Sequence, residues 1–191
     1  MNLPNSLTVF RIFCVPLLVV VLLTRQPNVT VFGLPMDFSV WGVLILLAGA
    51  ATDWADGFYA RRWKQITTLG ILLDPVADKL MVAAALIVLT EKGIVDPFAS
   101  LIIIGREITI SALREWMATI GQSKSVAVNV FGKVKTIAQL IAIPFLLFNG
   151  VLFGLFHTVV VGRWLIWIAA FLTLWSMVVY LKAAWAAGEP K

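Results

Sequence analysis

The chain has 191 residues, 61% hydrophobic and 13% charged, with eight tryptophans and a formal net charge of +5. That balance excludes an ordinary soluble domain and points to an integral membrane protein with no nucleic-acid partner. A single cysteine, Cys14, excludes an intrachain disulfide, and a single histidine, His157, excludes a clustered His metal site or a His-based triad within one chain.

A spanning helix needs about 20 mostly apolar residues, and such runs fall near 8–24, 39–61, 69–90, 97–114, 126–148 and 159–181. The expected fold is all-α, with six transmembrane helices forming one domain over residues 1–191. The first run opens on Asn2, Pro4, Asn5 and Ser6 and lacks a clear small-residue cleavage site, so it is expected to be retained. Arg11, the Arg61–Arg62–Lys64 group, Arg114, Lys124, Lys182 and Lys191 fall on one side of such a bundle, and only Arg25 and Lys92 on the other. The excess of basic residues marks the first side, and both termini, as cytoplasmic. Arg163, near the outer end of the last run, is expected to snorkel.

The second run ends near Arg61, with Asp56 and Asp53 five and eight residues before it, roughly 7 to 12 Å deep. The third run starts near Leu69 and carries Asp74 and Asp78 at matching depth. Spacings of three and four put each pair on one helical face, so an antiparallel helix pair can gather four carboxylates. Pro75 leaves two readings of Asp74, as an interior residue or as the cap of a helix that starts at the proline. Arg106 lies eight residues before Arg114, and Lys133 and Lys135 lie several residues into the fifth run, at the same level.

Four clustered carboxylates at membrane depth repel one another unless something positive holds them. Oxygen ligands suit a hard cation, Mg²⁺ or Mn²⁺, and two such ions can bridge a diphosphate in phosphoryl transfer. A structural ion-pair network with Arg61, Lys79 and Arg106 is the competing account. Gly57, Ala60 and Gly70 clear space for a nucleotide or simply allow close helix packing. Arg106, Lys133 and Lys135 lie within spans rather than loops, which suits binding of a phosphate.

Asp53, Asp56, Gly57, Ala60, Arg61, Gly70, Asp74 and Asp78 fit D-x-x-D-G-x-x-A-R-x8-G-x-x-x-D-x-x-x-D in full. This pattern resembles the signature of the CDP-alcohol phosphatidyltransferases. The segments "NLPNSLTVFRIFCVP", "REITISALREWMA" and "SVAVNVFGKVKTIAQ" extend the resemblance over most of the chain, toward the bacterial branch that makes phosphatidylglycerophosphate. The resemblance implies transfer of a phosphatidyl group from CDP-diacylglycerol to sn-glycerol 3-phosphate, with release of CMP, by a homodimer of the bacterial inner membrane whose active site faces the cytoplasm. It implies that Asp53, Asp56, Asp74 and Asp78 hold two divalent ions, that Asp78 is also the base, and that Gly57, Ala60, Arg61 and Gly70 line the CDP site. Arg106, Lys133 and Lys135 are the candidates for the acceptor phosphate. Asn5, Thr8 and Arg11 either cap the nucleotide end or only anchor the first helix. Rival readings are the same chemistry on another acceptor, as in cardiolipin, phosphatidylserine or phosphatidylinositol phosphate synthesis, and a divalent-cation or proton transporter.

Overall fold

In the computed structural model the backbone is described for residues 3–24, 29–31, 34–36, 38–63, 68–119, 130–152 and 155–188. Six helices account for most of it: α1 (Leu3–Leu23), α2 (Phe38–Trp63), α3 (Thr68–Glu91), α4 (Pro97–Thr119), α5 (Val130–Phe148) and α6 (Thr158–Gly188). Each coincides with one of the six apolar runs. Two short antiparallel hairpins are additions to the expected all-α pattern: β1 (Val29–Val31) with β2 (Leu34–Met36) between α1 and α2, and β3 (Val151–Leu152) with β4 (Phe156–His157) between α5 and α6. Strands of two or three residues are too short to leave a readable alternation.

Ser6–Leu23 and Thr158–Lys182 are long and apolar enough to cross a membrane, and Ser39–Asp53 and Ile137–Phe148 are shorter apolar stretches. In α2, α3 and α4 the charged residues lie inside the helices, which shortens their uninterrupted apolar length. Large apolar side chains face outward around the bundle, among them Phe13, Leu101, Trp164 and Phe171. So much outward apolar surface far exceeds what a monomeric soluble protein leaves in water, and the chain is a membrane protein.

The core is built where α1 meets α2 and α3, and where α6 meets α4 and α5. Helices α2 and α3 touch each other little, because α1 packs against both. Leu18, Leu22, Leu46, Met81, Ala85, Leu89 and Ile143 close this region. Two glycines on α2 permit the approach: a Cβ on Gly42 would lie 2.4 Å from Leu22 Cδ2, and one on Gly49 2.6 Å from Met81 Cε. Small residues that let helices come together are the usual device inside membranes, where lipid tails offer no hydrophobic contrast. Cys14 is buried in this packing, as expected of a lone thiol on an apolar helix.

Helix α3 runs unbroken through Asp74 and Pro75, so Asp74 is an interior residue and not a cap. At its far end Gly93 adopts φ 68°, Gly93 N donates to Thr90 O at 2.9 Å and Ile94 N to Leu89 O at 2.9 Å, a Schellman ending. Asp96 caps α4 by accepting from Phe98 N at 2.8 Å, with Pro97 at the first helical position. Arg163 corrects its expected role. Its Nε donates to Ile94 O at 2.8 Å and Nη2 to Gly93 O at 3.3 Å, so it ties α6 to the α3–α4 turn instead of only reaching for the interface.

Candidate active site

The first and last aspartates of the motif meet at one cation. Arg11 Nη1 lies 2.9 Å from Asp53 Oδ1 and 2.7 Å from Asp78 Oδ1, joining α1, α2 and α3. Arg11 is 1% exposed while the two carboxylates are 47% and 50% exposed. The guanidinium is therefore inside the bundle and the acids stand at its edge. This geometry follows from the packing: α1 packs against both α2 and α3, and Gly49 lets Met81 of α3 approach α2 beside the arginine. Arg11 is thus no peripheral topology charge. Its depth was a usable signal, since it stands eight residues past Leu3 while Asp53 precedes the end of α2 by ten and Asp78 follows the start of α3 by ten.

Arg11, Asp53 and Asp78 open onto a cavity of about 400 Å³ whose other walls include Leu46, Gly49, Met81, Val82, Gln139 and Ile143. One end of this space is charged, and the rest is apolar except for the amide of Gln139. A second cavity, of about 470 Å³, lies at the opposite end of α3 beside Thr90, Asp96, Arg163 and Trp167. Fifteen helical residues separate Asp78 from Gly93, roughly 22 Å, so that space is remote from the carboxylates.

Arg106 is buried between α4 and α6, donating from Nη1 to Glu107 Oε1 at 2.8 Å and from Nη2 to Ser176 Oγ at 3.4 Å. It does not line the cavity at Asp53 and Asp78. Lys79 donates to Ser111 Oγ, and Ser111 in turn donates to Glu107 O at 2.6 Å. Of the cations expected to neutralise the aspartates in a structural network, Lys79 and Arg106 are engaged on α4 and α6, and Arg11 meets Asp53 and Asp78 instead. Thr8, one turn before Arg11, is buried inside α1 and not at its start. The side chains of Asn5, Asp56, Gly57, Ala60, Arg61, Gly70, Asp74, Lys133 and Lys135 lie outside the described residues, as do Lys64 and Lys124 entirely.

A family model for CDP-alcohol phosphatidyltransferases matches residues 1–175. The chain belongs to the CDP-alcohol phosphatidyltransferase family. It is 46% identical over 188 residues to a CDP-diacylglycerol--glycerol-3-phosphate 3-phosphatidyltransferase of Shigella flexneri serotype 5b (strain 8401), covering 96% of this chain and 94% of the relative. It is 45% identical, with the same coverage, to the protein of that name from Escherichia coli (strain K12).

A CDP-alcohol phosphatidyltransferase generally uses divalent metal ions, and the donor set suits them. Half-exposed carboxylate oxygens that share one cationic nitrogen are hard, negatively charged and close together, the chemistry a divalent cation requires. Asp53 and Asp78 supply two such carboxylates, and no group of three or more possible ligand residues occurs among the described residues. Two groups give no direct signal in the sequence: Arg11 as the bridge, and Gln139, which carries no charge and stands within the apolar stretch Ile137–Phe148, four residues past Lys135.

Proposed function

We propose that this chain transfers the phosphatidyl group of CDP-diacylglycerol to sn-glycerol 3-phosphate, giving phosphatidylglycerophosphate and CMP. The meeting of Asp53 and Asp78 on Arg11, at the mouth of a largely apolar cavity, carries this reading; the names of the relatives supply the acceptor. A diphosphate anchored by acyl chains and a polar alcohol must react at a boundary between apolar and polar space, and this cavity has both ends.

In the proposed reaction Asp78 accepts the proton of a glycerol hydroxyl. The freed oxygen attacks the phosphorus that bears the diacylglycerol, a new P–O bond forms, and the P–O bond to CMP breaks. Asp53, Asp56, Asp74 and Asp78 would hold Mg²⁺ or Mn²⁺, as two ions. Bound there, divalent ions offset the charge of the diphosphate and of the leaving CMP. Gly57, Ala60, Arg61 and Gly70 would line the CDP site, with Asn5 and Thr8 near its nucleotide end. Arg11 would position Asp53 and Asp78. Lys133, Lys135 and Arg106 would bind the acceptor's phosphate. Arg106 Nε has no partner among the described residues, so it retains one donor beyond its bonds to Glu107 and Ser176.

The six helices would span the bacterial inner membrane as one domain, with both termini and the carboxylate site on the cytoplasmic side and the hairpins outside, and the enzyme would act as a homodimer. The excess of basic residues at one set of helix ends supports the orientation. The reaction is tested with purified protein, Mg²⁺ or Mn²⁺ and CDP-diacylglycerol, following CMP. Release should depend on glycerol 3-phosphate; equal release with serine or inositol phosphate would reject the acceptor, and release with none of these alcohols would reject the reaction.

A further inference from the structure

Gln139 lies on α5, nine residues past Val130, at the depth of Arg11, Asp53 and Asp78 on their own helices. It is 7% exposed, lines the cavity those residues open onto, and its Nε2 has no hydrogen-bond partner among the described residues. A buried amide donor without an acceptor costs folding free energy unless something else completes it. Apart from the carboxylates of Asp53 and Asp78, to which Gln139 makes no hydrogen bond, the other residues lining this cavity offer no side-chain oxygen acceptor.

We infer that Gln139 donates a hydrogen bond to a non-bridging oxygen of the phosphoryl group being transferred, and so acts as a catalytic residue of the proposed reaction. This rests on the phosphatidyl-transfer reading. Three observations select that oxygen. Gln139 shares a cavity with Asp78, the proposed base, so the reacting phosphorus is the phosphate nearest to both. The wall adjoining Gln139 is apolar, which suits the phosphate that carries the diacylglycerol better than the free anionic end of the acceptor. The carboxylates of Asp53 and Asp78 repel an anionic phosphoryl group, and a neutral donor lining the same cavity opposes that repulsion without adding a charge to be desolvated.

A purely structural glutamine and a ligand-facing one predict opposite signs in stability. Gln139→Met keeps the length and removes the unpartnered donor, so the full-length protein in detergent, free of substrate, should melt at or above the wild-type temperature. Its kcat for CMP release with CDP-diacylglycerol, glycerol 3-phosphate and Mg²⁺ should fall about 10- to 100-fold, with the KM for glycerol 3-phosphate within about threefold of wild type. Gln139→Asn, a shorter amide, should retain an intermediate kcat. Gln139→Met with kcat within about threefold of wild type overturns the proposal, as does a lowered melting temperature that accompanies the loss. A raised acceptor KM at unchanged kcat overturns it in favour of the acceptor phosphate. If the wild type releases no CMP with glycerol 3-phosphate, the reaction reading fails. The bond to the donor is then judged by thermal stabilisation with CDP-diacylglycerol alone, which must be smaller for Gln139→Met than for wild type.

Discussion

Arg11→Met removes the cation that joins three helices while preserving most of the side-chain length. Each carboxylate lies within 3 Å of Arg11 Nη1, at 2.9 and 2.7 Å. Two unit charges about 4 Å apart attract by about 4 kcal/mol at an effective dielectric constant near 20. That figure needs a large discount, because exposed pairs contribute about 0–1 kcal/mol, and Asp53 and Asp78 are about half exposed. The loss of a buried arginine leaves no buried charge behind on the partners, so the cost falls below the roughly 3–5 kcal/mol of a fully buried broken pair. About 2 kcal/mol for both contacts is the working value, which corresponds to a fall of about 4–8 °C in apparent melting temperature for a chain of this size. The assay is thermal unfolding in detergent with a chelator present. Adding Mg²⁺ should recover part of the deficit in Arg11→Met, since the bare carboxylates then regain a counter-ion. A double-mutant cycle with Asp53→Asn should show non-additivity of about 1 kcal/mol. Melting within about 1 °C of wild type, together with additive single variants, would refute the idea that Arg11 holds the two carboxylates.

Three further outcomes follow from the site. Asp78→Asn should lower kcat at least about 100-fold, in the range expected for loss of a general base, while the protein still binds CDP-diacylglycerol by thermal shift; unchanged turnover would remove Asp78 as base. Chelation of divalent ions should abolish CMP release, and Mg²⁺ or Mn²⁺ should restore it, whereas metal-independent turnover would contradict the role given to the aspartates. Lys135→Ala and Arg106→Ala should raise the KM for glycerol 3-phosphate about 10-fold or more and that for CDP-diacylglycerol little, consistent with loss of a charge-assisted bond; the reverse pattern would reject that phosphate site.

The apolar runs marked the six helices to within a few residues at most boundaries because their lengths are set by the thickness of lipid. Three ends are exceptions: α1 starts at Leu3, α6 continues to Gly188, and α4 continues to Thr119, where Arg114, Glu115 and the exposed Trp116 extend it beyond the apolar segment. The hairpins were not legible, being two or three residues per strand. That Asp53 on α2 and Asp78 on α3 lie at one level was legible, because depth along a helix follows from residue count alone.

Sequence alone therefore determined the helical architecture, the motif of four aspartates and, through the motif, the class of chemistry. These depend on periodicity and on spacing within one or two adjacent segments. Tertiary structure decided which cation meets the acids and which neutral group shares their cavity. Arg11 is 42 residues from Asp53 and 67 from Asp78, and its partnership exists only because α1, with room for Leu22 made at Gly42, packs against both α2 and α3. Arg106, at matching depth in the sequence, is turned toward Glu107 and Ser176 by the packing of α4 on α6. Depth is encoded locally along each helix, but the direction in which a charge points across the bundle is set by its neighbours.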